Sequence, residues 1–114
     1  MATLTPKNFY TNSPSVGTTA TLYTSNTNAG SYSIIKNINI CNPNTSASGT
    51  VTLYVTQAGT AAGVTNLFLS NMVVAANTSI LIDSSVIMNN NAIIAANISL
   101  AGMVVNVSGV EFIA

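Results

Sequence analysis

Asp83 and Glu111 are the only carboxylate side chains among 114 residues, Lys7 and Lys36 the only cationic ones, and Cys41 the only thiol. Histidine, arginine and tryptophan are absent. Nucleophile-plus-base catalysis needs a proton acceptor tuned near neutral pH, and no histidine is there to supply it. The inventory leaves one catalytic arrangement, the pair of acids with which glycosidases flank a glycosidic bond. The surroundings of each acid favour structural roles instead. Asp83 precedes Ser84-Ser85 and reads as an Asx turn ending a strand. Glu111 precedes Phe112 on the last apolar run and reads as an outward-facing edge charge that discourages edge-to-edge pairing. The chain is expected not to be an enzyme.

Metal chemistry is excluded on the same count. One cysteine and two acids distant in sequence do not make a transition-metal site, and calcium would need a denser acidic loop. Cys41, between Ile40 and Asn42, reads as a small core or boundary residue. No cofactor or metal is expected. Charged residues form 4% of the chain and sum to zero, against about a quarter in an ordinary soluble domain. Without arginine or a basic excess there is no footprint for nucleic acid. No apolar run is long enough for a transmembrane helix, and Met1 to Asn8 lacks the pattern of a signal peptide, so neither membrane nor secretory targeting is expected. The Asn-x-Ser/Thr sequons at Asn44, Asn77, Asn97 and Asn106 are what chance produces in a chain that is roughly two fifths Asn, Ser and Thr.

The elements that hold these residues are strands. Residues 1–16, with Pro6 and Pro14 and no sustained period, read as an extended N-terminal arm, followed by a sandwich domain over 17–114. From there short runs rich in Val, Ile and Thr alternate with turn clusters. The runs cover 18–24, 32–41, 50–56, 67–74, 78–83, 86–88, 92–100 and 103–113. In 50–56, Val51, Leu53 and Val55 should face inward, with Thr52, Tyr54 and Thr56 outward. In 32–41, Tyr32, Ile34, Ile38 and Ile40 share one parity, and Ile35 with Lys36 breaks it, so a bulge is expected there. Ala75-Ala76-Asn77, Asn89-Asn90-Asn91 and Ala101-Gly102 read as turns, residues 42–48 as a loop opened by Asn42-Pro43, and 59–66 as a second loop. No stretch carries a helical apolar stripe. About eight strands in this order imply an all-β, antiparallel β-sandwich of jelly-roll type.

Function is then expected to lie in surfaces. Phe9 and Tyr10 on the arm, outward-facing Tyr23 and Tyr54, and the terminal Phe112 are the candidate subunit or capsid contacts, because interfaces enrich aromatics and deplete charges at their centres. A glycan-binding role is the alternative: Asn and Thr can bind sugar hydroxyls, although the stacking platform is limited to tyrosines.

Several runs together resemble a family of small accessory virion proteins of tailed bacteriophages. They are Leu22-Tyr23-Thr24, Ile34-Ile35-Lys36-Asn37-Ile38 leading to Cys41-Asn42, and Val51-Thr52-Leu53-Tyr54-Val55. After these come Ala62-Gly63 and Asn66, Ile80-Leu81-Ile82-Asp83, and Val107-Ser108-Gly109-Val110-Glu111. The likeness spans about residues 20 to 113. Asn28-Ala29-Gly30 stands where Pro-Ala-Gly is common, and Asn89-Asn90-Asn91-Ala92 replaces a Gly-Asp turn; both keep turn chemistry. The resemblance implies a β-sandwich carried in many copies on the external surface of a phage particle, often as a homotrimer. It would be a capsid decoration protein bound to the major capsid protein or another virion protein. The alternative it leaves open is a host-adhesion module of a tail fibre or baseplate. The arm would do the docking, and its removal is expected to leave the sandwich folded.

Overall fold

The computed structural model describes residues 3–57, 62–63 and 66–114. Most of the loop expected over 59–66 falls outside them. Eight strands run β1 (Thr3–Asn12), β2 (Ala20–Thr24), β3 (Tyr32–Asn42), β4 (Gly49–Thr56), β5 (Leu67–Val74), β6 (Thr78–Asn89), β7 (Ile93–Ile98) and β8 (Val104–Ile113). They form two four-stranded sheets, A in the order β1-β8-β3-β6 and B in the order β2-β7-β4-β5, and every neighbouring pair is antiparallel. Consecutive strands alternate between the sheets except at β4-β5, which is the double Greek key of a jelly roll.

The core lies between the inner faces. Val51 and Leu53 from β4 meet Ile94, Ala96 and Ile98 from β7, and from the other sheet come Ile35, Ile38, Ile40, Val105, Val107 and Met88. The alternation expected along β4 holds until its end, where Thr56 is buried rather than outward, its hydroxyl donating to the Ile93 carbonyl at 3.5 Å. The turn readings hold as well: Asn77 (φ 58°) and Asn91 (φ 65°) occupy the left-handed region that asparagine tolerates. The 42–48 loop is pinned by buried Asn42, whose amide donates to the Ala47 and Val74 carbonyls at 2.9 and 3.0 Å.

The bulge in β3 is where it was expected, between Ile35 and Asn37 on both flanks of the strand. Its effect on parity corrects the reading above. The extra residue, exposed Lys36, puts Ser33 and Ile35 inward before the bulge and Ile38 and Ile40 inward after it. Tyr32 and Ile34 therefore face out. The strand opposite is continuous. Residues 78–83 and 86–88 belong to one strand, β6, and Asp83 lies in its middle, not in an Asx turn. Two side-chain contacts carry β6 past the irregularity: Ser84 Oγ donates to the Ile35 carbonyl at 2.9 Å, and Asn37 Nδ2 to Asp83 Oδ1 at 3.4 Å.

Residues 3–12 are extended, as expected, but they do not lie outside the sandwich. They pair with β8 from Thr3↔Ile113 to Asn12↔Val105. An edge strand tolerates Pro6 because only one side of it enters a ladder. The bulge between Asn8 and Tyr10 turns Phe9 into the core, 8% exposed. Removing residues 1–16 would therefore strip one flank of β8 and take an aromatic ring from the interior, contrary to the expectation that the sandwich would be untouched.

On β8, Gly109 sits opposite the β3 bulge, and a Cβ there would run into the Ile34 carbonyl oxygen. Gly109→Ala is expected to cost about 3 kcal/mol or more, because the obstruction is backbone. Gly102→Ala meets open space and pays for a φ of +89°, about 1–2 kcal/mol. Urea denaturation of both variants checks the order; equal losses would show that the β8–β3 approach is not tight.

Candidate functional site

Because β8 lies between β1 and β3, its odd-numbered residues from Val105 onward point into the sandwich, and Glu111 is among them at 7% exposure. This overturns its reading as an outward edge charge: the last strand in sequence is an interior strand of the sheet. Both carboxylate oxygens are occupied. Lys7 Nζ, reaching in from β1, lies 3.1 Å from Oε1, and the Tyr23 hydroxyl donates to Oε2 at 2.5 Å. The chain of contacts continues from Tyr23 to Ser33 Oγ (3.4 Å) and from Ser33 to Ser25 Oγ (3.1 Å), and Ser25 donates to the Met88 carbonyl (3.4 Å). Five strands and the residue after β2 thus share one polar network that runs from half-exposed Lys7 into the interior.

Tyr23 was expected to face solvent. The β2 ladder slips between Thr21 and Tyr23, so Leu22 enters the core and the half-buried Tyr23 also turns inward. Its ring meets Phe9 at 4.4 Å between centroids, tilted by 35°, and Lys7 Nζ stands 5.4 Å from the Tyr23 centroid. The Tyr23 hydroxyl is pushed up to about 12, first by burial and then by the Glu111 carboxylate that it serves. The Glu111 carboxyl is held below its ordinary value, chiefly by the Tyr23 hydrogen bond and further by Lys7, with desolvation opposing.

This arrangement holds the Glu111 carboxyl in its charged form. Glu111 lies on the inner face of sheet A, whereas Asp83 is exposed on the outer face with Asn37. The two acids cannot flank one bond. Among the described residues no three of His, Cys, Asp and Glu converge to hold a metal ion.

The outer face of sheet A divides into two halves. At one end two rows cross the strands, Leu4↔Phe112↔Tyr32↔Asn89 and Pro6↔Val110↔Ile34↔Ile87. They are uncharged and, but for Asn89 at the β6 edge, apolar or aromatic, with Leu4 62% and Ile87 57% exposed, and the rings of Tyr32 and Phe112 stack at 4.9 Å. Beyond them runs a polar row, Asn8↔Ser108↔Asn37↔Asp83. Of the five aromatic residues singled out in the sequence, Phe112 alone lies in the apolar rows. Phe9 is in the core with Tyr23 beside it, Tyr10 is half-buried against the core, and Tyr54 stands on the outer face of sheet B. Sequence reasoning missed Leu4, Tyr32, Ile34 and Ile87 because the row they form exists only once β1 is paired and the β3 bulge is in phase.

No protein-family model matches the chain, and no curated protein does. Among solved structures, the chain is similar to one in the structure of infectious bursal disease virus Gx strain. The TM-score is 0.57 at 17% identity, over 98% of this chain and 32% of that one. The likeness is one of fold. The chain spans about a third of the length of that viral chain. The match thus comes from a virus but not from a tailed-phage accessory protein, and of the phage resemblance it supports the β-sandwich fold.

The Glu111 network has a pH signature. A carboxyl lowered in the folded chain contributes stability that is fully present above its unfolded value of about 4.3 and is lost as pH falls through the folded value. Thermal melts between pH 7 and 3 should therefore show a falling midpoint below about pH 4.3, and Glu111→Gln should flatten that limb. Tyr23→Phe, which removes a hydrogen bond to a charged group, is expected to cost about 1.5–3 kcal/mol at pH 7. A wild-type acid limb that persists unchanged in Glu111→Gln would assign it to another group.

Proposed function

We propose that this protein is a non-enzymatic structural component of a tailed-phage virion: a homotrimeric decoration protein on the external capsid surface, held there by contact with the major capsid protein. The observation that carries the reading is the pair of apolar rows on the outer face of sheet A. The largest apolar patch on a soluble protein is often its functional contact, and here Leu4 and Ile87 are more than half exposed. The scarcity of charge adds support, since a neutral surface does little to keep free copies apart. So does the jelly roll, a fold shared with a chain of a virus.

Magnitudes favour several copies over one. A patch of a few hundred Å² at about 25 cal/mol/Å² supplies roughly 10 kcal/mol at most. That is the same order as the cost of fixing a free molecule on a surface. One subunit would hold weakly by this face, and three linked subunits would hold firmly through effective concentration. Phe112 and Tyr32 make the rigid centre of the contact, and Leu4 and Ile87 its exposed ends. Docking by the start of the chain survives in altered form: Leu4 and Pro6 contribute to the face as members of β1, not as a free arm.

Native mass spectrometry at micromolar concentration is expected to show a trimer, and co-sedimentation with purified capsids to show retention. Leu4→Asp with Ile87→Asp should abolish retention while leaving the thermal midpoint nearly unchanged, since both side chains are exposed. A wild-type protein that is only monomeric and not retained on capsids would overturn the reading, as would undiminished retention of the double variant.

A further inference from the structure

The outer face of sheet B has a different chemistry. Strands β2, β7, β4 and β5 contain no charged residue, and between β7, β4 and β5 opens a cleft of about 350 Å³. Thr52 and Asn97, paired across β4 and β7, form its floor. Tyr54 stands at one side with Leu67, Ser99 at the other, and Ser70 with Asn71 at the β5 end.

The cleft exists because β5 is irregular. Its ladder with β4 slips between Val51 and Leu53, and Asn71 takes a φ of 47° there. Thr52 Oγ1 holds that bend, accepting the Asn71 backbone N–H at 3.1 Å and donating to Asn71 Oδ1 at 3.2 Å. Asn71 Nδ2 makes no hydrogen bond within the described residues. Ser99 Oγ accepts the Thr50 N–H at 2.8 Å and keeps its own proton. The Asn97 amide and the Tyr54 hydroxyl make no hydrogen bond within the described residues. A short stretch of rigid strand therefore presents unspent donors and acceptors of both kinds beside one aromatic ring.

We infer that this cleft is a binding site for a neutral saccharide. Sugar hydroxyls donate and accept at once, which matches the mixed amide and hydroxyl groups of Asn71, Asn97, Ser99 and Tyr54. The tyrosine ring offers an apolar wall to the C–H face of a pyranose. Sheet B has no cation to receive a carboxylate, sulfate or phosphate, because both lysines belong to sheet A, Lys7 on Glu111 and Lys36 beside Ser85 at 3.3 Å. The polar floor is equally unsuited to a purely apolar ligand. The site is independent of the proposed capsid contact, which uses the other sheet.

Amide-resolved NMR titration of the full chain tests it, with D-glucose, D-galactose, D-mannose and N-acetyl-D-glucosamine as probes and N-acetylneuraminic acid as the anionic comparator. At least one neutral sugar is expected to shift Thr52, Asn71 and Asn97 saturably in the millimolar range, ahead of the comparator. Asn97→Ala and Tyr54→Ala should each weaken that binding about tenfold; Asn97→Ala keeps the test valid should the loss of the ring disturb β4. No saturable shift with any of the four sugars would overturn the inference. So would shifts that survive Asn97→Ala, or tighter binding of N-acetylneuraminic acid than of every neutral sugar.

Discussion

A single buried carboxylate sets the register of half this sandwich. Taking Glu111 out of water costs several kcal/mol unless its oxygens find partners, and the fold supplies them from two directions, Lys7 on β1 and Tyr23 on β2. A strand shifted by one residue turns every side chain to the opposite face. If β1 slipped by one place on β8, Lys7 would point to solvent and Glu111 would lose its only cation. The same register aligns Leu4 with Phe112 and Pro6 with Val110, so the apolar outer rows depend on an ion pair on the inner face. Tyr23 extends the constraint across the sandwich through Ser33 and Ser25 to β6. Among the described residues no buried side-chain nitrogen or oxygen lacks a partner, the condition under which a polar network in a core is tolerated.

Much of the fold was legible because strands buried on one face write their period into the sequence. Val51 and Leu53, and Ile94, Ala96 and Ile98, alternate cleanly and are fully buried; Asn77, Asn91 and Gly102 mark turns by the φ values they accept. What escaped reading has a common cause. The place of a strand in its sheet is a property of topology, and local period does not encode it. Glu111 looked like an edge charge because it sits near the end of the chain, yet the jelly roll puts β8 in the interior. Pro6 and the polar residues around it read as an arm, yet an edge strand needs neither a full ladder nor two apolar faces. The β3 bulge was visible at Ile35-Lys36, but not that it puts Tyr32 and Ile34 on the opposite face from Ile38 and Ile40. The sheet-B cleft depends on a bulge at Asn71 with no apolar signal, set by a threonine on the neighbouring strand.

The two outer faces also show where scarce charge is spent. All four charged side chains belong to sheet A. Buried Glu111 is met on the sheet's inner face by half-exposed Lys7, and Lys36 and Asp83 lie on the outer surface, bonded to Ser85 and Asn37. Sheet B meets solvent with hydroxyls and amides, and on its β5 edge with Leu67, Met72 and Val73. The low charge of the chain is therefore not a uniform dilution: one sheet carries every charged side chain beside an apolar area, and the other carries none.

The pairing of Thr3 with Ile113 has a mechanical consequence. Both ends of the described chain leave the sandwich side by side, at the first rung of the β1–β8 ladder. A load applied between them opens that ladder one rung at a time, like a zipper, without shearing many hydrogen bonds at once. The yielding front travels through Thr5↔Glu111 and then meets Lys7, where its half-exposed ion pair to Glu111 and the bulge at Phe9 stand in its path. A load on the last strand alone is borne differently, since β8 is bonded on both flanks and would have to slide past β1 and β3 together. The molecule is thus soft when its ends are drawn apart and stiff when pulled by its last strand.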